Sequence, residues 1–166
     1  MRAINNEEGQ RNNITDDGTD YDGRIAIEFR GSTSQGFPKK PYGLETQDSA
    51  GENIQFLGMP TENDWVLHNP YSDKSLMRNV LAFDMARAMG RYSPRTKFCE
   101  VFLNGQYQGV YVLMEKIKRD SNRVNIAELD ATMNGGDALT GGYIVKIDKF
   151  NGSGGAGWQS PFEIAA

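Results

Sequence analysis

The sequence is poor in the residues that build most metal and redox sites, with one cysteine, Cys99, and one histidine, His68. A lone thiol forms no internal disulfide, and a lone imidazole excludes histidine-rich zinc sites and any mechanism that needs two. Basic charge is also short. Eighteen Lys and Arg against 22 Asp and Glu leave a net charge of −4, which gives no overall footprint for gripping a phosphate backbone, so no nucleic acid partner is expected. No apolar run approaches the roughly eighteen residues of a membrane-spanning helix. Residues 1–20 lack the apolar stretch of a secretory leader. The chain is then either cytoplasmic or begins inside a longer one, and its ending, SPFEIAA, looks equally unfinished.

What is present fits one domain of 166 residues with a core of its own. A polar lead-in, in which Asp16 and Asp17 look disordered, gives way at Gly23 to RIAIEFR, where Ile25, Ile27 and Phe29 alternate with Ala26, Glu28 and Arg30. That is the pattern of a strand with one buried face. The GSTSQGFP segment and the renewed alternation at Tyr42 and Leu44 predict a hairpin with a wide polar loop. Residues 46–63 read as loop around a short apolar IQFLGM, and Asp64–Leu67 is a brief apolar run. Ser72 is positioned to cap a helix that closes on Gly90. Its apolar residues, at 76, 77, 80, 81, 83, 85, 86, 88 and 89, wrap most of the circumference, which predicts a largely buried helix. Two apolar runs around Asn104-Gly105 predict a second hairpin. Residues 118–129 read as a polar link with a short helical turn, 130–142 as a loop, YIVKI at 143–147 as a last strand, and the glycine-rich 151–158 as flexible.

Two segments carry possible chemistry. In the loop Arg30–Gly36, glycines let backbone N–H groups approach an anion, hydroxyls add donors, and the following Lys39 and Lys40 bring point charge. The spacing is not that of a P-loop, and by itself it describes an ordinary Gly/Ser hairpin. The strand YVLMEKI at 111–117 runs into charges in the way a kinase strand runs into the hinge that reads adenine. Trp65 and Trp158 read as core or lid residues, His68 as a surface or capping side chain, and Cys99 as a buried small hydrophobe on the face of Val101 and Leu103. The carboxylates are scattered and outline no acid–base pair or metal cluster.

The strings IEFRGSTSQGFPKKPYGLET (27–46), GMPTENDWVLHNPYSDKSLMRNVLAFDMARAMG (58–90), EVFLNGQYQGVYVLMEKIKRDSNRVNIAEL (100–129) and LTGGYIVKIDK (139–149) resemble, in order, the CotH family of spore-coat-protein-H-like atypical kinases. The version is similar to those of Bacteroidetes, where the domain occurs in large secreted or surface proteins. The resemblance implies an extracellular or cell-surface location, with a signal peptide upstream of Met1. It implies an α+β fold, mostly antiparallel sheet with one long buried helix, like the N-terminal lobe of a protein kinase. Residues 1–22 would be a lead-in, 23–150 the lobe, and 151–166 the start of the remainder.

The implied activity is transfer of the γ-phosphoryl group of ATP, with Mg2+ or Mn2+, to Ser or Thr of a protein substrate. The residues implied for the cofactor are Arg30, Gly31, Ser32, Ser34 and Lys40 at the phosphates, Arg78 bracing that side, and Met114, Glu115 and Ile117 at the hinge. Lys40 is preferred to Lys39 because alternation places it with Tyr42 and Leu44. The aspartates that resemble the family's catalytic base and metal ligand are expected beyond Ala166. Two other readings stand beside the kinase: a non-catalytic structural or adhesion module of spore-coat type, and a polysaccharide-binding module.

Overall fold

The computed structural model describes residues 1–47 and 53–144. The strands run β1 (Arg2–Ala3), β2 (Tyr21–Asp22), β3 (Ile25–Phe29), β4 (Tyr42–Thr46), β5 (Ile54–Phe56), β6 (Met59–Glu62) and β7 (Asp64–His68). They are followed by helix α1 (Arg78–Ala88), β8 (Thr96–Leu103), β9 (Gln106–Glu115) and the short helix α2 (Gly136–Thr140). The chain divides into two units, Met1–Ile126 and Ala127–Ala166. In the second, Asp130 accepts the Thr132 N–H at 2.7 Å, and α2 ends with Gly141 N–H donating to Asp137 O.

The expected hairpins form. β3 pairs antiparallel with β4, and β8 with β9 across Asn104-Gly105. Both turn residues have positive φ, 51° and 78°, the backbone a two-residue hairpin of this hand demands. The five-stranded antiparallel sheet has the order β3-β4-β7-β9-β8. One face carries the core, in which Trp65, Tyr111 and Leu113 are fully buried with Leu44, Phe56 and Met59 around them. Each such side chain contributes on the order of 2 kcal/mol through the apolar surface it removes from water. Cys99, Val101 and Leu103 pack against this cluster as expected, and burial pushes the Cys99 thiol up to about 11, which leaves it unreactive.

Several expectations are corrected. The segment read as loop at 46–63 contains the β5–β6 hairpin, turned by Leu57 and Gly58 at positive φ, and it covers the core: Phe56 meets Trp65 edge-on at 5.5 Å. The lead-in is ordered. Asp16 Oδ2 accepts from Asn6 Nδ2 and the Asn13 N–H, and Tyr21 packs against Phe56. Residues 118–126 hold an isolated bridge between Arg119 and Val124 with no helical turn. In β3 only Ile25 packs on the core, while Ile27 and Phe29 are exposed because β3 is an edge strand. Of the strand expected at 143–147, Tyr143 and Ile144 lie in no strand and 145–147 fall outside the described residues, as does the segment 151–158.

The largest correction is α1. It starts at Arg78 rather than after Ser72, because Asp73 works from outside the helix: Oδ2 accepts the Arg78 N–H at 2.9 Å, and Oδ1 accepts the Ser75 N–H and hydroxyl. Gly90 ends it as expected, with φ 75°. None of its residues is buried. Val80, Phe83 and Ala86 are half-buried, whereas Met77, Leu81, Met85 and Met89 are between 55% and 71% exposed. An apolar pattern all round a helix predicts burial only when neighbours lie on every side, and here one side alone is sheltered.

Candidate functional site: a cleft on the second sheet face

The face of the sheet opposite the core is organised by strand register. One row across it is Ala26, Glu45, Asp64; the next is Glu28, Gly43, Val66, Met114. The third begins at Arg30, whose N–H bonds Pro41 O, and continues through His68 and Val112. A cleft of about 330 Å3 opens over the first two rows and Arg30, lined by Ala26, Glu28, Arg30, Gly43, Glu45, Asp64, Val66 and Lys116 among others. Gly43 lines it without a side chain. A Cβ there would come within 3.4 Å of the Glu28 side chain.

At one end of the cleft stands the loop after Arg30. Gly31 has φ 86°, and Thr33–Gly36 form a 3-10 turn that sequence pattern alone did not indicate. Lys40 Nζ donates to Gln35 O of that turn at 2.7 Å. Lys39 goes elsewhere: its ammonium bonds Val110 O and lies 4.4 Å from the centre of the Tyr111 ring, and burial lowers its pKa. Lys40 is therefore the lysine of the pair that reaches the loop. Phe37 stacks on Tyr71 at 5.2 Å, and Asn69 Nδ2 donates to Lys39 O, so the loop is tied to the segment that leads into α1. Ser34 is half-buried and Ser32 exposed. Arg30 makes no ion pair among the described residues.

At the other end lies the segment after β9. Met114 lies beside Val66 in the second row, outside the cleft's lining. Glu115 turns to the core side, where it is fully buried and accepts from Arg95 Nη1 at 2.7 Å and the Arg95 N–H at 2.9 Å. Its side chain is thus occupied structurally. Ile117 is 58% exposed, and among the described residues its backbone groups make no hydrogen bond with other backbone. Arg78, expected to brace the phosphate side, is 81% exposed and pairs with Asp73. Its neighbour Asn79 reaches the sheet instead, with Nδ2 3.2 Å from His68 Nε2.

Arg123 was not singled out by the sequence, yet it braces this end. Nη1 donates to Asp64 O at 2.8 Å and Lys116 O at 2.7 Å, the guanidinium lies 4.8 Å from the Trp65 ring centre, and Nε is 3.8 Å from Glu62. Lys118 bridges Glu62 and Asp64 at 2.9 and 2.7 Å, and Lys116 adds a second bond to Asp64. Burial would raise the Asp64 pKa, but the two ammonium groups outweigh it and hold the carboxyl below its usual 3.8.

That shift sets a pH dependence. The folded value lies below the unfolded one, so Asp64 contributes its full stability above the ordinary carboxylate range and loses it as pH falls through the folded value. Thermal unfolding followed from pH 7 down to about pH 3 should show an acid limb that is shallower in Asp64→Asn than in the wild type. Parallel limbs would remove Asp64 from the acid transition.

His68, expected on the surface, is half-buried at the end of β7. Burial, with Arg30 and Lys39 nearby, lowers its pKa against the opposing pull of Asp73, which leaves the ring neutral at pH 7.

A protein-family model described as "CotH kinase protein" matches residues 27–163. The chain is also 36% identical over 93 residues to "Inner spore coat protein H" of Bacillus subtilis (strain 168), an alignment covering 56% of this chain and 24% of that protein. The chain thus spans about a quarter of the length of the curated relative it matches.

Proposed function

The chain belongs to the CotH kinase protein family, and from that premise we propose that it is the nucleotide-binding part of an enzyme that phosphorylates Ser or Thr of a protein. ATP, with Mg2+ or Mn2+, is the cofactor of this reading. The observation that carries it is the cleft: a floor at Gly43 and Val66 rimmed by Glu28, Glu45 and Asp64, with Arg30, which leads into the glycine-containing loop, and Lys116, at the strand exit, both in its lining. A base fits over the floor with its edge toward Ile117, and phosphates extend toward Arg30, Gly31, Ser32 and Lys40. The order of elements also supports the reading. The β3–β4 hairpin with its glycine-bearing loop, then β7, α1 and the β8–β9 hairpin, with β5–β6 inserted before β7, run in the order of the parts by which protein kinases cover ATP.

Within this reading the described residues bind and orient. Arg30 and Lys40 place positive charge at the phosphate end, the sheet floor keeps water off one side of the base, and the Arg123 brace fixes the strand exit. Phosphoryl transfer depends on such positioning and on metal-borne charge. Among the described residues no group of three His, Cys, Asp or Glu could hold a metal ion, so no step is assigned to a metal or to a base among them. The relative's name, a spore coat protein, supports an outer-surface setting and is also what favours the second reading, a structural module without catalysis.

Titration with Mg-ATP separates these readings. Binding is expected, and Arg30→Ala and Lys40→Ala should each weaken it about tenfold, the size of one lost charge-assisted contact, without lowering the thermal midpoint. Unchanged affinity in both variants would remove the loop from the site. No binding by the wild type would leave the structural reading in the lead, and glycan binding indifferent to ATP would favour the polysaccharide module.

A further inference from the structure

Two side chains outside the cleft's lining connect it to α1. His68 lies two residues beyond Val66, so strand alternation brings it to the cleft face, in the row that begins at Arg30. Its Nε2 is 3.2 Å from Asn79 Nδ2 in the first turn of α1. Asn79 is the one α1 side chain hydrogen-bonded to a strand among the described residues. Arg78 bonds Asp73, and Arg87 bonds Asp84, Ser93 and Pro94. The helix is otherwise loosely held, with no buried residue of its own.

We propose that His68 and Asn79 form a positioning pair, which holds α1 against the sheet at the phosphate end of the cleft and so sets where an ATP phosphate is received. The proposal rests on the nucleotide reading above. In protein kinases the third strand and the following helix contribute a lysine and a glutamate, whose ion pair aligns the phosphates. In this chain β7 and the helix that follows it, α1, contribute an imidazole and an amide. With Nε2 as acceptor the ring is neutral and carries its proton on Nδ1, and the amide N–H of Asn79 donates to it.

An uncharged pair suits the surroundings. The charged groups that face His68 are Arg30 and Lys39 from the loop side and Asp73 from the segment before α1. Two cations already stand at this corner, so a third would add repulsion when the cleft is empty. The division of labour follows: Arg30 and Lys40 supply charge, while His68 and Asn79 supply position.

The test compares His68→Leu, Asn79→Leu, His68→Gln and the double variant His68→Lys/Asn79→Glu with the wild type. It reads amide hydrogen exchange of α1 and affinity for Mg-ATP. Each leucine variant should speed exchange along α1 and weaken ATP about fivefold to tenfold, the worth of one neutral hydrogen bond. His68→Gln, which keeps an acceptor, and the double variant, which substitutes an ion pair, should both return within about threefold of the wild type. Leucine variants with wild-type exchange and affinity, or a double variant no better than the leucine variants, would overturn the pair. If the wild type binds no ATP, the nucleotide reading fails, and the exchange data still decide whether the pair positions the helix.

Discussion

Arg123→Ala should lower the unfolding free energy by about 3 kcal/mol or more, the scale for removing one partner of a buried, hydrogen-bonded charge. The guanidinium is fully buried and is held by the Asp64 and Lys116 carbonyls, the Trp65 ring and the Glu62 carboxylate. Truncation leaves two carbonyls without their donor and Glu62 with Lys118 as its remaining close cation. It also uncovers Trp65, whose indole N–H has no acceptor among the described residues. Urea denaturation with an unchanged slope and a shifted midpoint is the measurement. Arg123→Lys separates charge from shape, because an ammonium restores the charge but cannot fork to both carbonyls, and it should recover less than half of the loss. A loss below about 1 kcal/mol for the alanine variant would mean that water takes over the bonds and that the segment is not braced from within.

Gly43→Val should abolish Mg-ATP binding, by a factor of about 100 or more, while the protein stays folded. The site is a strand interior, where a β-branched residue is favoured, and the nearest atoms to a new Cβ belong to the movable Glu28 side chain at 3.4 Å. The two methyl groups would stand on the cleft floor between Glu28 and Val66, where the base is placed, and overlap of that kind cannot be relieved by a rigid ring. Calorimetric titration reads the affinity and thermal unfolding the fold. Wild-type affinity in this variant would show that ATP does not lie over the Gly43–Val66–Met114 row, whatever the loop contributes. Because Gly43→Val and Arg123→Ala act on opposite faces of the sheet, affinity lost without stability in the first and stability lost in the second distinguish the cleft from its support.

The sequence was most informative where structure is local. Asn104-Gly105 specifies its hairpin because both residues tolerate the left-handed backbone that the turn requires. Gly90 ends α1 for the same reason. Alternation at Tyr42 and Leu44 identifies the core face of β4 because side chains of a strand alternate with period two. The family, too, was legible from the strings around Arg30 and Arg78, and the comparisons bear it out.

Long-range register decided the rest. Nothing adjacent to Arg123 in the chain indicates that it will lie under Trp65, because that contact spans 58 positions and depends on how the segment after β9 returns across the core. Burial of α1 was overestimated because periodicity reports how apolar a helix surface is, not how many neighbours cover it. His68 looked like an ordinary polar residue at the end of an apolar run. Its partner is eleven residues away, and only the packing of α1 against β7 makes them meet. The sequence by itself thus determined the Asn104-Gly105 turn, the end of α1 and the core face of β4, since each is set by backbone sterics or by nearest neighbours, and it identified the family through whole strings of residues. The tertiary structure decided which lysine reaches the loop, which arginine braces the cleft and which side of the helix is sheltered, because those depend on distances between elements that no local pattern encodes.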